Sequence, residues 1–428
     1  MVNNDYIQCI VCGEIINFRV QASEMNMPIL INCPVCTSQI SGNFQSMKLK
    51  NLVNAKMINH SDTTAIDRAW SFELSAELPT RKVIKKEFTG DNASLINFEL
   101  SPFMKWSMVM GNDTRKSLQG PMRLIQFIDS GKWHLVISLL RVINNNKFEY
   151  ALPVINQELS RSLSVYKNVS DEISGISAIH QMLMTDSGID IVIGKNALHE
   201  YSTLGQTIIT LFKSHKITKD NIGDFDVSKF NTEFLTLTDS LSDLFPKLLP
   251  IMTLRAANKI DKIPDDLSAI TTVDAESLND MYARTYEFIL RHLNVIYLLN
   301  NLSSRGNTKK FAKGKTEEEF NKYSDFNKVQ TFLIQSERFS KPIKSINNKI
   351  RNAIQHYDYV INYNDQTICY HDRNIDSSLT YIQLGNMVIE NISIIFYLNE
   401  LIYNIDRIER SFSLPNGLKR DSFTLKYE

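Results

Sequence analysis

Beyond residue 122, apolar residues recur at three- and four-residue steps, the period of an amphipathic helix. Polar breaks divide this pattern into predicted helices over 123–143, 152–165, 174–185, 204–214 and 230–249, the last closed by Pro246 and Pro250. A longer run, 274–302, carries Leu278, Met281, Tyr282, Phe288, Ile289, Leu293, Ile296 and Leu299 at its apolar positions. Thr316 with Glu319 forms a capping box at the head of another helix. Residues 263–269, with Pro264 and the pair Asp265 and Asp266, read as a linker, and 188–197 as a short strand or a buried turn. The pattern predicts a mainly α fold.

One predicted helix, beginning near Ser340, has two sharply different faces. Ser340 suits its cap, Pro342 its first turn, and Ile343, Ile346, Ile350, Ile354 and Tyr357 fall on one stripe. At about 100° per residue, Arg351, Asn352, Gln355 and His356 fan across the opposite side, with Asn352 and His356 one turn apart. Such a face is either plain solvent surface or it meets a second copy of itself across a two-fold axis, so that two faces make one cleft. A hairpin with Asn364 and Asp365 at its tip follows, and then a helix over 381–408.

The first 36 residues break the helical pattern. They hold four of the five cysteines, as Cys9-x-x-Cys12 and Cys33-x-x-Cys36, with 14–20 and 29–32 reading as short strands between and beside them. For the intracellular chain expected here, two such pairs point to a metal rather than to disulfides, and their spacing fits a zinc ribbon with one structural Zn²⁺ on Cys9, Cys12, Cys33 and Cys36. Gly13 and Pro34 suit the tight turns that aim paired sulfurs at one ion. The fifth, Cys369, reads as a packed residue. These signals divide the chain into a zinc ribbon, 1–45, a mostly helical middle region of regulatory or sensor type, 46–270, and a helical C-terminal domain, 271–428.

The stretch RNAIQHYDYVINYNDQTICY, 351–370, resembles the HEPN superfamily, all-helical domains that commonly dimerise and carry an Arg followed after four to six residues by a His. The resemblance covers the C-terminal domain only. It implies a four-helix bundle with the motif on the third helix, a homodimer, and a metal-independent endoribonuclease with Arg351, Asn352 and His356 as catalytic residues. Members of this group often act in bacterial toxin and antiphage (abortive infection) systems. The same role here would require restraint, from the middle region or from an antitoxin or trigger protein.

Charge narrows the chemistry. Lys and Arg number 47 and Asp and Glu number 47, so no global basic field steers the whole molecule to a polyanion and any RNA contact is local. The basic clusters at Lys48 and Lys50, and at Arg81, Lys82, Lys85 and Lys86, read as solvated faces or local nucleic-acid contacts. No apolar run reaches the roughly 18 residues of a membrane span and the N-terminus is polar, so a cytoplasmic protein without membrane association is expected. The segment from Gly188 to Gly194 and Lys195 lacks both the spacing and the hydroxyl of a phosphate loop. His60, His134, His180, His199 and His215 show no metal-ligand spacing, His371, Tyr357 and Tyr359 read as packing or surface residues, and Glu287, Arg291 and His292 are open candidates for the cleft. Two further readings stand beside the nuclease: a non-catalytic dimerisation and binding protein, and a regulator that binds nucleic acid through its zinc ribbon.

Overall fold

The computed structural model describes residues 2–21, 25–58, 69–85, 100–111, 113–159, 168–194, 196–215, 217, 222–343, 346–373 and 375–411. It is mainly helical, with a β-rich N-terminal region and a small C-terminal sheet. Strands β1 (Val2–Cys9), β2 (Ile15–Gln21), β6 (Ala55–Met57), β7 (Trp70–Leu74) and β8 (Ile84–Lys85) form one sheet in the order β6-β1-β2-β7-β8. Strands β3 (Met27–Asn32), β4 (Gln39–Gln45) and β5 (Lys48–Val53) form a second. The third follows the motif helix and holds β9 (Tyr359–Asn362), β10 (Thr367–Asp372) and β11 (Ile375–Thr380), in the order β11-β10-β9.

Burial explains the N-terminal sheets. Strand β2 alternates Ile16, Phe18 and Val20 toward a core shared with Ile7, Ile29, Ile31, Ile40 and Phe44. Its other face is buried as well, where Arg19 lies opposite Glu73 in the parallel pairing of β2 with β7. Lys105 joins that carboxylate, so the interior charge is paired.

The chain forms two compact units, each assembled from three separated stretches: 1–125, 243–283 and 349–388 in the first, and 126–242, 284–348 and 389–428 in the second. In the first, the segment after residue 263 is no linker. Leu267 and Ala269 are buried, Thr80 and Ala269 form a β-bridge, and Leu30 N–H donates to the Thr271 carbonyl. Gln39 Nε2 reaches Asp274 Oδ2 at 2.6 Å, and Asn364 Nδ2 at the hairpin tip reaches the Pro34 carbonyl at 3.4 Å. Residues 30–39, around the second cysteine pair, thus contact both residues 271–274 and the tip of the C-terminal hairpin.

Several helices depart from the periodic reading. Helix Val227–Ala256 runs straight through Pro246 and Pro250, because Leu248, Leu249, Ile251, Met252 and Leu254 are fully buried and their burial outweighs two lost backbone bonds. The run 274–302 breaks at Leu293 into Ala275–His292 and Asn294–Arg305. Of the two readings for 188–197, a short strand or a buried turn, the structure shows the second: residues 190–193 form one helical turn with Ile191, Val192 and Ile193 buried. The capping box of Thr316 and Glu319 is present as read.

Candidate functional sites at the cysteine group and the motif helix

The two Cys-x-x-Cys turns are built alike. In each, the first cysteine's N–H bonds a carbonyl five residues on, Cys9 to Glu14 and Cys33 to Ser38, while its carbonyl accepts from the residue four on, Gly13 and Thr37, all at 2.9 Å. That fourth residue adopts a left-handed conformation in both turns, at no steric cost for Gly13 (φ +81°) but against the preference of Thr37 (φ +60°). The turns bring four sulfurs within 4.8 Å of one another, with Cys9 Sγ 3.7 Å from Cys36 Sγ and Cys12 Sγ 3.6 Å from Cys33 Sγ. These separations are far longer than a disulfide bond, and the four thiols can hold one metal ion. Burial pushes the Cys33 thiol up to about 12, whereas the Ser38 hydroxyl brings Cys36 down to about 6. Ile10, Val11 and Val35, which lie inside the motifs, are exposed at the tips of the turns.

The motif helix is Asn348–Gln355, shorter than its apolar stripe suggests. Ser340 does not cap it but closes a 3-10 turn, where its hydroxyl accepts from Asn300 Nδ2 at 2.9 Å. Ile350 and Ala353 supply the buried face. The helix ends because Asp358 N–H reaches back to the Ala353 carbonyl at 2.8 Å and Tyr357 N–H to Ile354 at 3.2 Å, with Tyr357 left-handed at φ +56°. This pair of bonds is a Schellman ending with Tyr357 in the place usually held by glycine. It also takes Tyr357 off the apolar stripe and makes it the surface residue of its two readings, 84% exposed.

At this helix end the three predicted residues sit close together. Arg351 Nη1 lies 3.3 Å from Asn352 Oδ1, which accepts from it, and His356 N–H donates to the Asn352 carbonyl at 3.0 Å. His356 is exposed, and Arg351 and Asn352 are half-buried. A guanidinium, an amide and an imidazole therefore share one accessible helix terminus.

The sheet beyond adds His371, which the sequence places only as a packing or surface residue. His371 N–H donates to the Asp358 carbonyl at 2.9 Å, extending the antiparallel pairing of β9 and β10, and His371 pairs with Asp376 on β11. Its Nδ1 lies 2.8 Å from Asp376 Oδ1, and this aspartate, with a smaller contribution from Asp358, raises the imidazole above its usual range. Ile368 and Tyr370 point inward, while Cys369 is exposed on the His371 face, with Sγ 3.6 Å from Ser378 Oγ, rather than packed. The signal was the alternation in 368–371, but recognising it required the third strand.

Other candidates are engaged elsewhere. In the second unit Arg291 Nη1 and His292 Nε2 both contact Glu233 Oε2, at 2.7 and 3.1 Å. His180 Nε2 is buried against Glu400 Oε2 at 2.8 Å, and its ring stacks on Tyr403 with centroids 3.6 Å apart. His60 and Lys86 lie outside the described residues. Among the described residues the four cysteines are the one group of His, Cys, Asp and Glu placed to share an ion, and no helix is long and apolar enough to cross a membrane. No known protein family, curated protein or solved structure matches the chain.

Proposed function

We propose that the protein is a HEPN-like endoribonuclease that needs no catalytic metal, with Arg351, Asn352 and His356 at its site. The observation that carries this reading is the accessible end of the motif helix, which bears Arg351 hydrogen-bonded to Asn352 together with an exposed His356 and an exposed Tyr357. RNA supplies its own nucleophile. His356 takes the proton of the 2′-hydroxyl, the 2′-oxygen bonds to phosphorus, and the bond from phosphorus to the 5′-oxygen breaks as that oxygen gains a proton. Arg351 offers a planar fork of donors to the non-bridging oxygens, and Asn352 holds that fork in place. Tyr357, 84% exposed, offers a face for stacking a base. The products carry a 2′,3′-cyclic phosphate and a 5′-hydroxyl.

The active species in this reading is a homodimer formed through the C-terminal helices, pairing two motif faces around one strand. Resemblance suggests a cytoplasmic toxin or antiphage effector restrained by its own middle region or by an antitoxin or trigger protein. The metal is read as zinc: bonds of about 2.3 Å to four sulfurs in a tetrahedron place the sulfurs about 3.8 Å apart, close to the 3.6 and 3.7 Å separations here. With all four positions filled by thiolate the ion stabilises the fold and takes no part in cleavage.

Purified protein incubated with total RNA in EDTA, beside Arg351→Ala and His356→Ala, tests the reading. Loss of either group is expected to slow cleavage by on the order of 10²–10⁴. Full activity in His356→Ala would overturn it. One observation favours a second reading: the exposed Ile10, Val11 and Val35 give the cysteine turns apolar tips suited to gripping a protein partner, in which case the C-terminal helices only dimerise.

A further inference from the structure

We infer that His371 is the general acid of this site, delivering a proton to the departing 5′-oxygen while His356 serves as the base. The inference rests on the nuclease reading above and adds a residue to it. Cleavage moves two protons at opposite sides of one phosphorus, off the 2′-oxygen and onto the 5′-oxygen, so the site needs an acid as well as the base. His371 lies on the same chain as the base and is held by a carboxylate that the His356 of neither motif face is shown to have.

Strand register puts the second imidazole within reach. Asp358, two residues past His356, bonds the backbone of His371 directly across the ladder. Two residues of chain and one strand-to-strand step keep the two histidine Cα atoms within about 13 Å, a span that two side chains close across a single phosphate. Alternation along β10 turns Ile368 and Tyr370 into the core and leaves His371 on the open face, where Asp358, Cys369, Asp376 and Ser378 are also exposed. Asp358 and Asp376 are the carboxylates facing the ring, one from each neighbouring strand, and both favour its protonated form. Because Asp376 engages Nδ1, it is Nε2 that is presented to a substrate. An oriented imidazole whose protonated form two carboxylates favour is suited to the acid's half of this reaction.

The experiment compares two oligonucleotides: one with an ordinary 5′-oxygen at the scissile phosphate and one with sulfur in that bridging position, which leaves as thiolate without a proton. With His371→Asn the oxygen substrate is expected to react at least about 100-fold more slowly, while the sulfur substrate reacts at the wild-type rate. His356→Ala is expected to be slow on both, because the base is still needed. Asp376→Asn should move the alkaline limb of the pH–rate profile to lower pH, since the acid then loses its proton sooner. Wild-type cleavage of the oxygen substrate by His371→Asn overturns the proposal, as does an equal loss on both substrates, which marks a structural role. If the wild-type protein cleaves neither substrate, the nuclease reading itself fails and takes this assignment with it. If the wild type cleaves both and only the sulfur rescue is missing, the nuclease stands and His371 is not its acid.

Discussion

Replacing Gln366 by alanine should unfasten the C-terminal sheet from the segment that also carries the N-terminal strands. The side chain is 7% exposed, and its amide imitates a strand: Oε1 accepts from Ile270 N–H at 2.8 Å and Nε2 donates to the Ile270 carbonyl at 2.7 Å. Alanine leaves both Ile270 peptide groups buried without these partners. At about 1–3 kcal/mol for each unsatisfied buried group, the loss is about 2–6 kcal/mol, the lower half applying if water enters the space. With a urea dependence of about 2–3 kcal/mol per molar, the unfolding midpoint falls by about 0.7–3 M. Hydrogen exchange should locate the damage in β9, β10 and β11. A Gln366→Glu variant sharpens the test, because its carboxylate still accepts from Ile270 N–H but sets a second oxygen against the carbonyl. Its deficit should shrink as acid protonates that oxygen and restores a donor. An unchanged midpoint and unchanged exchange in Gln366→Ala would refute the argument that these two bonds hold the sheet.

Two further expectations follow from the sites. Cys33→Ser should abolish binding of one metal ion per chain, read by elemental analysis, and should raise exchange first in β3 and β4, which flank Cys33 and Cys36; unchanged metal content would show that the four sulfurs do not act together. His371 should titrate above the usual histidine value near 6.5 by NMR and fall back toward it in Asp376→Asn, because the aspartate beside Nδ1 raises it. The sign for stability follows from linkage: the folded state holds this proton more tightly, so the contribution is fully present below the unfolded value and is lost as pH rises through the folded one. Both side chains meet solvent, so the titration itself is the sensitive readout and an unshifted imidazole in the wild type would contradict the pairing.

Signals carried by neighbouring residues hold where no tertiary contact competes with them, and Ser340 and the two helix prolines are the places where one does. The Cys-x-x-Cys turns, the Asn352 and His356 spacing, the capping box at Thr316 and the hairpin tip at Asn364 each depend on residues within a few positions of one another, and each is present. Pro246 and Pro250 were read as helix ends by a rule that is sound for an exposed helix. Burial of the following two turns overrode it. Tyr357 continued the apolar stripe on paper, yet a left-handed turn at that residue carries the ring out to solvent.

By itself, the sequence determined which side chains belong to each local cluster: four sulfurs in two matched turns, and Arg351, Asn352 and His356 on one polar helix face. Spacing along a helix or within a tight turn is fixed by backbone geometry over a single turn, and such geometry can be counted from the chain. Only the tertiary structure decided that His371 stands between Asp358 and Asp376, that Gln366 is bonded to Ile270, and that residues 263–274 join the cysteine-bearing strands to the C-terminal hairpin. Those pairings depend on strand register and on contacts across 90 residues or more of chain, where the apolar pattern says which face is buried but not against what.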